Sequence, residues 1–342
     1  MTNETATRGR ATMRDVAALA KVSLKTVSRV VNGEPGVSPR LAKRVTAASE
    51  RLDYHHNFTA SSLRRSDGRS LTIGVVLEDV ANPFASALHR AIEDVAVERA
   101  VLVLAGSSDE DERRERRLVA AFTSRRVDGL IIQPSSHDHS YLRPERRAGT
   151  PVVFVDRPPS SLDADAVVTD NADGIRRAVH HLVEHGHRRI GYLGDLRSIA
   201  TAKERHLGFV EGMREHGIEV DESLVQLDVR GIEKADVAAR QLLMSSRPPT
   251  AVITGQNLVT IGAFRALRRQ RLHKKIALVG FDDFLLADLL DPGITVIAQD
   301  PAAIGRTAAG ILFRRLDGER APFQTHIVRT LMIKRGSGEI RP

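Results

Sequence analysis

Val22 to Val45 reads VSLKTVSRVVNGEPGVSPRLAKRV. Ser23 is placed to cap a helix from Leu24 to about Val31, with Val27, Val30 and Val31 on one face. Leu24, Lys25, Ser28 and Arg29 fall on the other. Ser38 before Pro39 opens a further helix, because proline suits the first helical position. Its Leu41, Val45, Ala48 and Leu52 recur at helical spacing. Upstream, Thr12 and Asp15 form a capping box ahead of Met13, Val16, Ala17, Leu19 and Ala20. Three short helices, the first two tightly linked, fit a helix-turn-helix whose second helix offers two cations to a DNA groove. Lys or Arg there donates to guanine edges, while Thr12, Ser23 and Ser38 are suited to phosphate. Spacing alone leaves a second reading open, a plain three-helix bundle with a solvated basic face.

Charge supports the first. The 342-residue chain carries a formal net charge of +8, yet residues 1–65 hold twelve Lys and Arg against five Asp and Glu. A basic module on a nearly neutral body points to a polyanionic partner for the module alone. There is no cysteine, which excludes disulfides and thiolate metal sites. The opening MTNETATRGRATMRDV has no apolar run of secretory length, and nothing later reaches the roughly 18 apolar residues of a membrane span. The expectation is a soluble, cytoplasmic protein.

The segment TMRDVAALAKVSLKTVSRVVNGEPGVS, continued by ERLDYHHNFTASSLRR, resembles the DNA-binding headpiece of the lactose-repressor (LacI) family. That resemblance implies that Leu24, Lys25 and Arg29 read bases. Lys21 departs from it, standing in the link where glycine is common. It also implies that Asn57 to Arg65 is a hinge that folds on DNA, pairs with its dimer mate and pushes Leu63 into the minor groove beside Ala60, with Asn57 also at the DNA. An apolar wedge of that kind unstacks a base step and kinks the duplex. Ser61 departs from the pattern, since many relatives carry Arg there.

From Leu71 onward short Val/Ile/Leu runs alternate with amphipathic stretches. LTIGVVL, AVLVLAG, VDGLII, PVVFVD, RRIGYLG, SLVQLDV, PTAVITG, KIALVGF and ITVIAQD are the strand candidates. The pattern predicts an α/β core of two doubly wound parallel-sheet subdomains. The expected boundaries are a headpiece at 1–56, a hinge at 57–69 and a core at 70–342. Within the core, one subdomain takes about 70–167 and 300–327, the other about 168–299 and 328–342. Ligands of such sheets bind beyond the carboxyl ends of the strands. Asn82, Phe84, Asp156, Arg157, Gln256, Asn257, Asp282 and Gln299 fall there, and Arg205 lies on the helix after IGYLGD. Carboxylates, guanidiniums, amides and one aromatic face suit paired hydrogen bonds to vicinal hydroxyls and stacking on a sugar ring.

ANPF, VDR, AKERHLGF, GFDD and IAQD resemble the periplasmic sugar-binding fold of LacI-family cores. The Asp-Arg pair and IAQ are similar to ribose-type sites, whereas Asn257 stands where Asp is usual. Other signals carry less. DEDERRERR at Asp109–Arg117 reads as a solvated helical face with Asp109–Arg113 and Glu110–Arg114 pairs. His181, His185 and His187 lack a carboxylate pattern for metal. There is no P-loop, nucleophile elbow or HExxH. The resulting expectation is a non-enzymatic, cofactor-free transcription repressor acting as a homodimer, since IKRGSGEIRP has no Leu heptads for tetramerisation. Its partners are palindromic operator DNA and a monosaccharide such as a pentose. The alternatives are a purine- or nucleoside-corepressed relative, and a sugar-binding or carbohydrate-modifying protein with an incidental basic arm.

Overall fold

The computed structural model describes residues 11–31, 34–54 and 68–342, in two compact units, 1–70 and 71–342. The hinge residues Asn57, Ala60, Ser61 and Leu63 lie outside the described residues.

The first unit contains α1 (Met13–Ala20), α2 (Leu24–Val31) and α3 (Pro39–Arg51). The Thr12–Asp15 capping box forms as expected. Thr12 N–H donates to the Asp15 carboxylate at 2.8 Å, and Asp15 N–H donates to the Thr12 hydroxyl at 3.4 Å. Val16, Ala17, Ala20, Val27, Val45 and Ala48 make the core, covered by Met13, Val22, Val30, Val31, Leu52 and Tyr54. Leu19, expected within the apolar pattern, is 39% exposed. Lys21 closes α1 in the left-handed region at φ 49°, the conformation that favours glycine there. Arg44 of α3 donates to the carbonyl of Ala20 at 2.6 Å. This cation at the carboxyl end of α1 complements the helix dipole and ties α3 to α1.

The second unit holds two six-stranded sheets. The first is built from β1 (Thr72–Leu77), β2 (Leu102–Ser107), β3 (Gly129–Ile132), β4 (Val152–Asp156), β5 (Asp165–Thr169) and β11 (Thr325–Val328). Its order is β11-β5-β4-β3-β1-β2, all parallel. The second comprises β6 (Ile190–Leu193), β7 (Val225–Gln226), β8 (Ala251–Thr254), β9 (Ala277–Phe281), β10 (Thr295–Ala298) and β12 (Leu331–Ile333). Its order is β12-β10-β9-β8-β6-β7, with only β12 antiparallel. Each sheet therefore has a point where the strand order reverses, between β1 and β3 in one and β6 and β8 in the other. A ligand crevice is expected at those points.

Helices α4 (Pro83–Glu98) and α11 (Pro301–Leu316) cover the first sheet with Leu88, Ile92, Ile304 and Leu312. On the opposite face lies α5 (Glu112–Ser124), with Val119 and Phe122. A short α6 (Arg143–Arg147) precedes β4. The second sheet packs against α7 (Asn171–Glu184) and α8 (Ala200–Glu215) through Ile175, Leu182 and Phe209. Its other face meets α9 (Gly231–Leu243) and α10 (Asn257–Arg269) through Leu242, Val259 and Leu267.

Two sequence expectations need correction. Asp109 and Glu110 do not belong to a helical face: both have positive φ, and α5 begins at Glu112 behind the cap Asp111. Arg114 pairs with Asp109, not Glu110, and Glu115 is fully buried. Secondly, β5, β11 and β12 were not among the strand candidates. β11 and β12 are half-exposed edge strands of four and three residues, too short to show alternation.

Candidate functional site

In the headpiece unit, α2 presents Leu24, 43% exposed, and an exposed Lys25 on one face. Ser28 and Arg29 are half-buried, and Arg29 stands 3.8 Å from Glu34. The Ser23 hydroxyl accepts from Thr26 N–H at 3.1 Å, and that of Ser38 from Leu41 N–H at 3.4 Å. Each hydroxyl thus caps its own helix.

In the core unit, eight of the nine expected effector residues line one narrow cavity of about 30 Å³: Asn82, Phe84, Asp156, Arg157, Arg205, Gln256, Asp282 and Gln299. That is far less room than a small-molecule ligand fills, so the two sheets must part to admit one. Asp156 closes β4 and Asp282 follows β9, at φ 68° and 67°. Two non-glycine residues in the left-handed region at matching strand ends mark backbone held for a purpose.

Arg157 is clamped rather than free. Its guanidinium donates to Glu110 at 2.5 and 2.9 Å and to the Pro134 carbonyl at 2.7 Å. Its Nε has no hydrogen-bond partner and lies 3.4 Å from Asp156. Arg205 lies over the Phe281 ring at 3.9 Å, donating to Asn171 Oδ1 at 2.8 Å and the Gly255 carbonyl at 2.9 Å. Asp282 lies 4.0 Å from Arg205 and accepts from Gln299 at 2.7 Å. Burial pushes the Asp282 carboxyl above its ordinary range, against the pull of Arg205 and Gln299.

Some assignments change. Asn257 does not line the cavity. Its side chain is fully buried, donating to Asn82 Oδ1 at 3.0 Å and accepting from Leu258 N–H at 2.7 Å. Gln256 lines the cavity, but its oxygen caps α10 through Leu258 and Val259 N–H. The Asn82 oxygen likewise caps α4 through Phe84 N–H at 3.0 Å.

The residues missed in the sequence are Glu78, Gln133 and Asp195 on the cavity wall, and Arg230 behind Glu78. Glu78 and Asp195 follow β1 and β6, so the strand-end rule applied to every strand would have found both. Arg230 pairs with Glu78 across the cleft, and Asn257 with Asn82. The two sheets are thus joined by polar bonds beside one cavity. The His residues have other work: His181 meets Glu339 at 2.6 Å, and His187 lies between Thr250 and the Ile340 carbonyl. Among the described residues, no helix is long and apolar enough to cross a membrane.

A helix-turn-helix unit joined to a core with a polar cavity between two switch-point sheets defines a ligand-responsive DNA-binding regulator. Comparison with known proteins agrees. Residues 12–57 match the family described as bacterial regulatory proteins, lacI family, and residues 179–338 match a periplasmic binding protein-like domain. The HTH-type transcriptional repressor CytR of Escherichia coli K12 is 30% identical over 334 residues, covering 97% of each chain. The ribose operon repressor of the same strain is 30% identical over 330 residues, 96% of this chain and 99% of the other. The crystal structure of the lac repressor dimer bound to operator and the anti-inducer ONPF superposes with a TM-score of 0.84 at 26% identity, covering 96% of this chain and 99% of that one. The chain belongs to the lacI family of DNA-binding transcriptional regulators.

Proposed function

We propose that this regulator represses carbohydrate-utilisation genes from a two-fold symmetric operator and is released when a monosaccharide fills the core cavity. The observation that carries this reading is the convergence of Asp156, Arg157, Arg205, Asp282 and Gln299 on one cavity between the two sheets. Carboxylates and guanidiniums together satisfy both lone pairs and protons of vicinal hydroxyls, whereas an apolar ligand would leave them desolvated and unpaired. The relative named for the ribose operon supports a pentose as the first candidate. The lac repressor, solved as a dimer on its operator, supports a homodimer. Lys25 and Arg29 are the base readers in this account, with Thr12, Ser23 and Ser38 at phosphates. The role is regulatory rather than catalytic and belongs to the cytoplasm, where the DNA is.

The test is a selection of operator sequences with the full chain, followed by thermal unfolding against pentoses, hexoses and nucleosides. A monosaccharide is expected to raise the melting temperature and lower operator affinity, and Arg157→Ala to lose the thermal response while remaining folded. A nucleoside that instead strengthens operator binding would establish a corepressor in place of an inducer.

A further inference from the structure

The five residues that carry the sugar reading leave one wall of the cavity unexplained. That wall is built from Glu78, at the switch point of the first sheet, and Asp195, at the switch point of the second. The Glu78 backbone N–H donates to Gln133 Oε1 at 3.0 Å, and Gln133 passes a bond on to Asp156 at 3.1 Å. The wall is thereby fixed to the Asp-Arg pair. Around the cavity, Glu78, Glu110, Asp156, Asp195 and Asp282 are five carboxylates facing the three guanidiniums of Arg157, Arg205 and Arg230.

Most donors of those guanidiniums are committed, while Arg157 Nε and one terminal nitrogen of Arg230 are buried without a hydrogen-bond partner. Arg157 holds Glu110 with both terminal nitrogens, Arg230 holds Glu78 and reaches to 3.8 Å from Asp195, and Arg205 is bonded to Asn171 and Gly255. A phosphate would need a bidentate cation and would find its charge facing surplus carboxylates in a poorly solvated space. A hydroxyl or an ammonium donates to such carboxylates. Burial already pushes Glu78 up to about 7, ahead of the repulsion from Glu110, and raises Asp195 as well. A further anion would add to that strain.

We propose that Glu78 and Asp195 form a charge filter on the effector cavity, so that its ligand is an unphosphorylated polyhydroxyl molecule, neutral or amine-bearing, and sugar phosphates are excluded. The proposal rests on the sugar-receptor reading above. It is tested by calorimetric titration of the full chain with ribose, glucose, glucosamine, ribose 5-phosphate and glucose 6-phosphate. Whichever parent sugar binds, its phosphate ester is expected to bind at least about a hundredfold more weakly, since like charges brought together cost several kcal/mol. The variant Glu78→Gln/Asp195→Asn should narrow that ratio by about tenfold or more. Glu78→Gln alone, which keeps an acceptor for Arg230, should narrow it in part; the ratio is the readout in each case. A phosphate ester that binds as tightly as its parent overturns the filter while leaving the sugar reading intact. A large ratio unmoved in both variants overturns the assignment to these two residues. A panel in which no form binds removes the sugar reading, and the filter with it.

Discussion

Glu115 shows how far a single residue departs from its sequence context. It stands in the charge run DEDERRERR, where periodicity favours a solvated side chain, yet it is fully buried. Its carboxylate accepts from Ser135 and Ser136 N–H and, at 2.7 Å, from the Tyr141 hydroxyl. Those partners lie 20 to 26 residues away, so no local pattern reveals them. Glu115→Ala leaves one buried and two half-buried donors without this acceptor and should lower the unfolding free energy by about 3 kcal/mol in urea titration. An unchanged midpoint would return Glu115 to the solvated face. Glu78 gives a pH signature of known sign. Its carboxyl is raised from an ordinary 4.5 to about 7, so between those values the folded state binds more protons than the unfolded. Its contribution to stability therefore falls as pH rises through that window. The stability of Glu78→Gln relative to the native chain should climb by a few kcal/mol between pH 4.5 and 8. A difference that is flat with pH would contradict the burial of this group. Glu339 runs the other way. Burial alone would raise it, but hydrogen bonds from His181, Thr295 and Gly336 bring it down to about 2. The stability it supplies is present above about 4.5 and is lost as pH falls toward 2.

At the scale of elements, the helix pairs of the core share one device. Gly208 on α8 packs against the Ala172 backbone of α7, where an added Cβ would meet the carbonyl oxygen at 2.3 Å. Gly262 on α10 would meet the Ile232 carbonyl of α9 at 2.4 Å, and Gly305 on α11 the Leu88 carbonyl of α4 at 2.7 Å. Each contact is with backbone, which cannot move aside as a side-chain tip can. Gly208→Ala and Gly262→Ala should each cost about 1–3 kcal/mol by forcing a helix pair apart, read as a lowered denaturation midpoint. Stability equal to the native chain in both would show that these helices slide freely. Such crossings were not legible in the sequence, because a glycine in a helix also fits a loop or a weak cap. The nine strand candidates were legible, because continuous apolar runs belong to sheets buried on both faces. β5 was missed because it starts on Asp165, which is buried only by virtue of a bidentate bond to Arg315, 150 residues away. The site followed the same division. Strand-end position was enough to find Asp156, Arg157, Asp282 and Gln299, but it could not separate a ligand group from a helix cap. Asn257 stands just behind the cavity wall, bonded to Asn82, and Gln256 and Asn82 serve as caps as well.

At the scale of the whole molecule, the account joins a DNA-reading unit to a ligand cavity through free energy. A ligand that prefers one arrangement of the two sheets shifts the population of that arrangement. A ligand that parts the two sheets must break the cross-cleft bonds Glu78–Arg230 and Asn82–Asn257. Lys25→Ala should weaken operator binding by about 1–3 kcal/mol and relax preference at one base position, with ligand affinity unaffected. Equal loss on every DNA sequence would make Lys25 a phosphate contact. The central claim is that cavity and operator are linked in one molecule. It is tested most directly by measuring the dissociation constant for the selected operator with and without saturating sugar, and that for the sugar with and without operator. The account predicts that each ligand weakens the other by the same factor, as linkage requires, and that Arg157→Ala abolishes the effect while still binding operator. A sugar that binds the core and leaves operator affinity unchanged would contradict it.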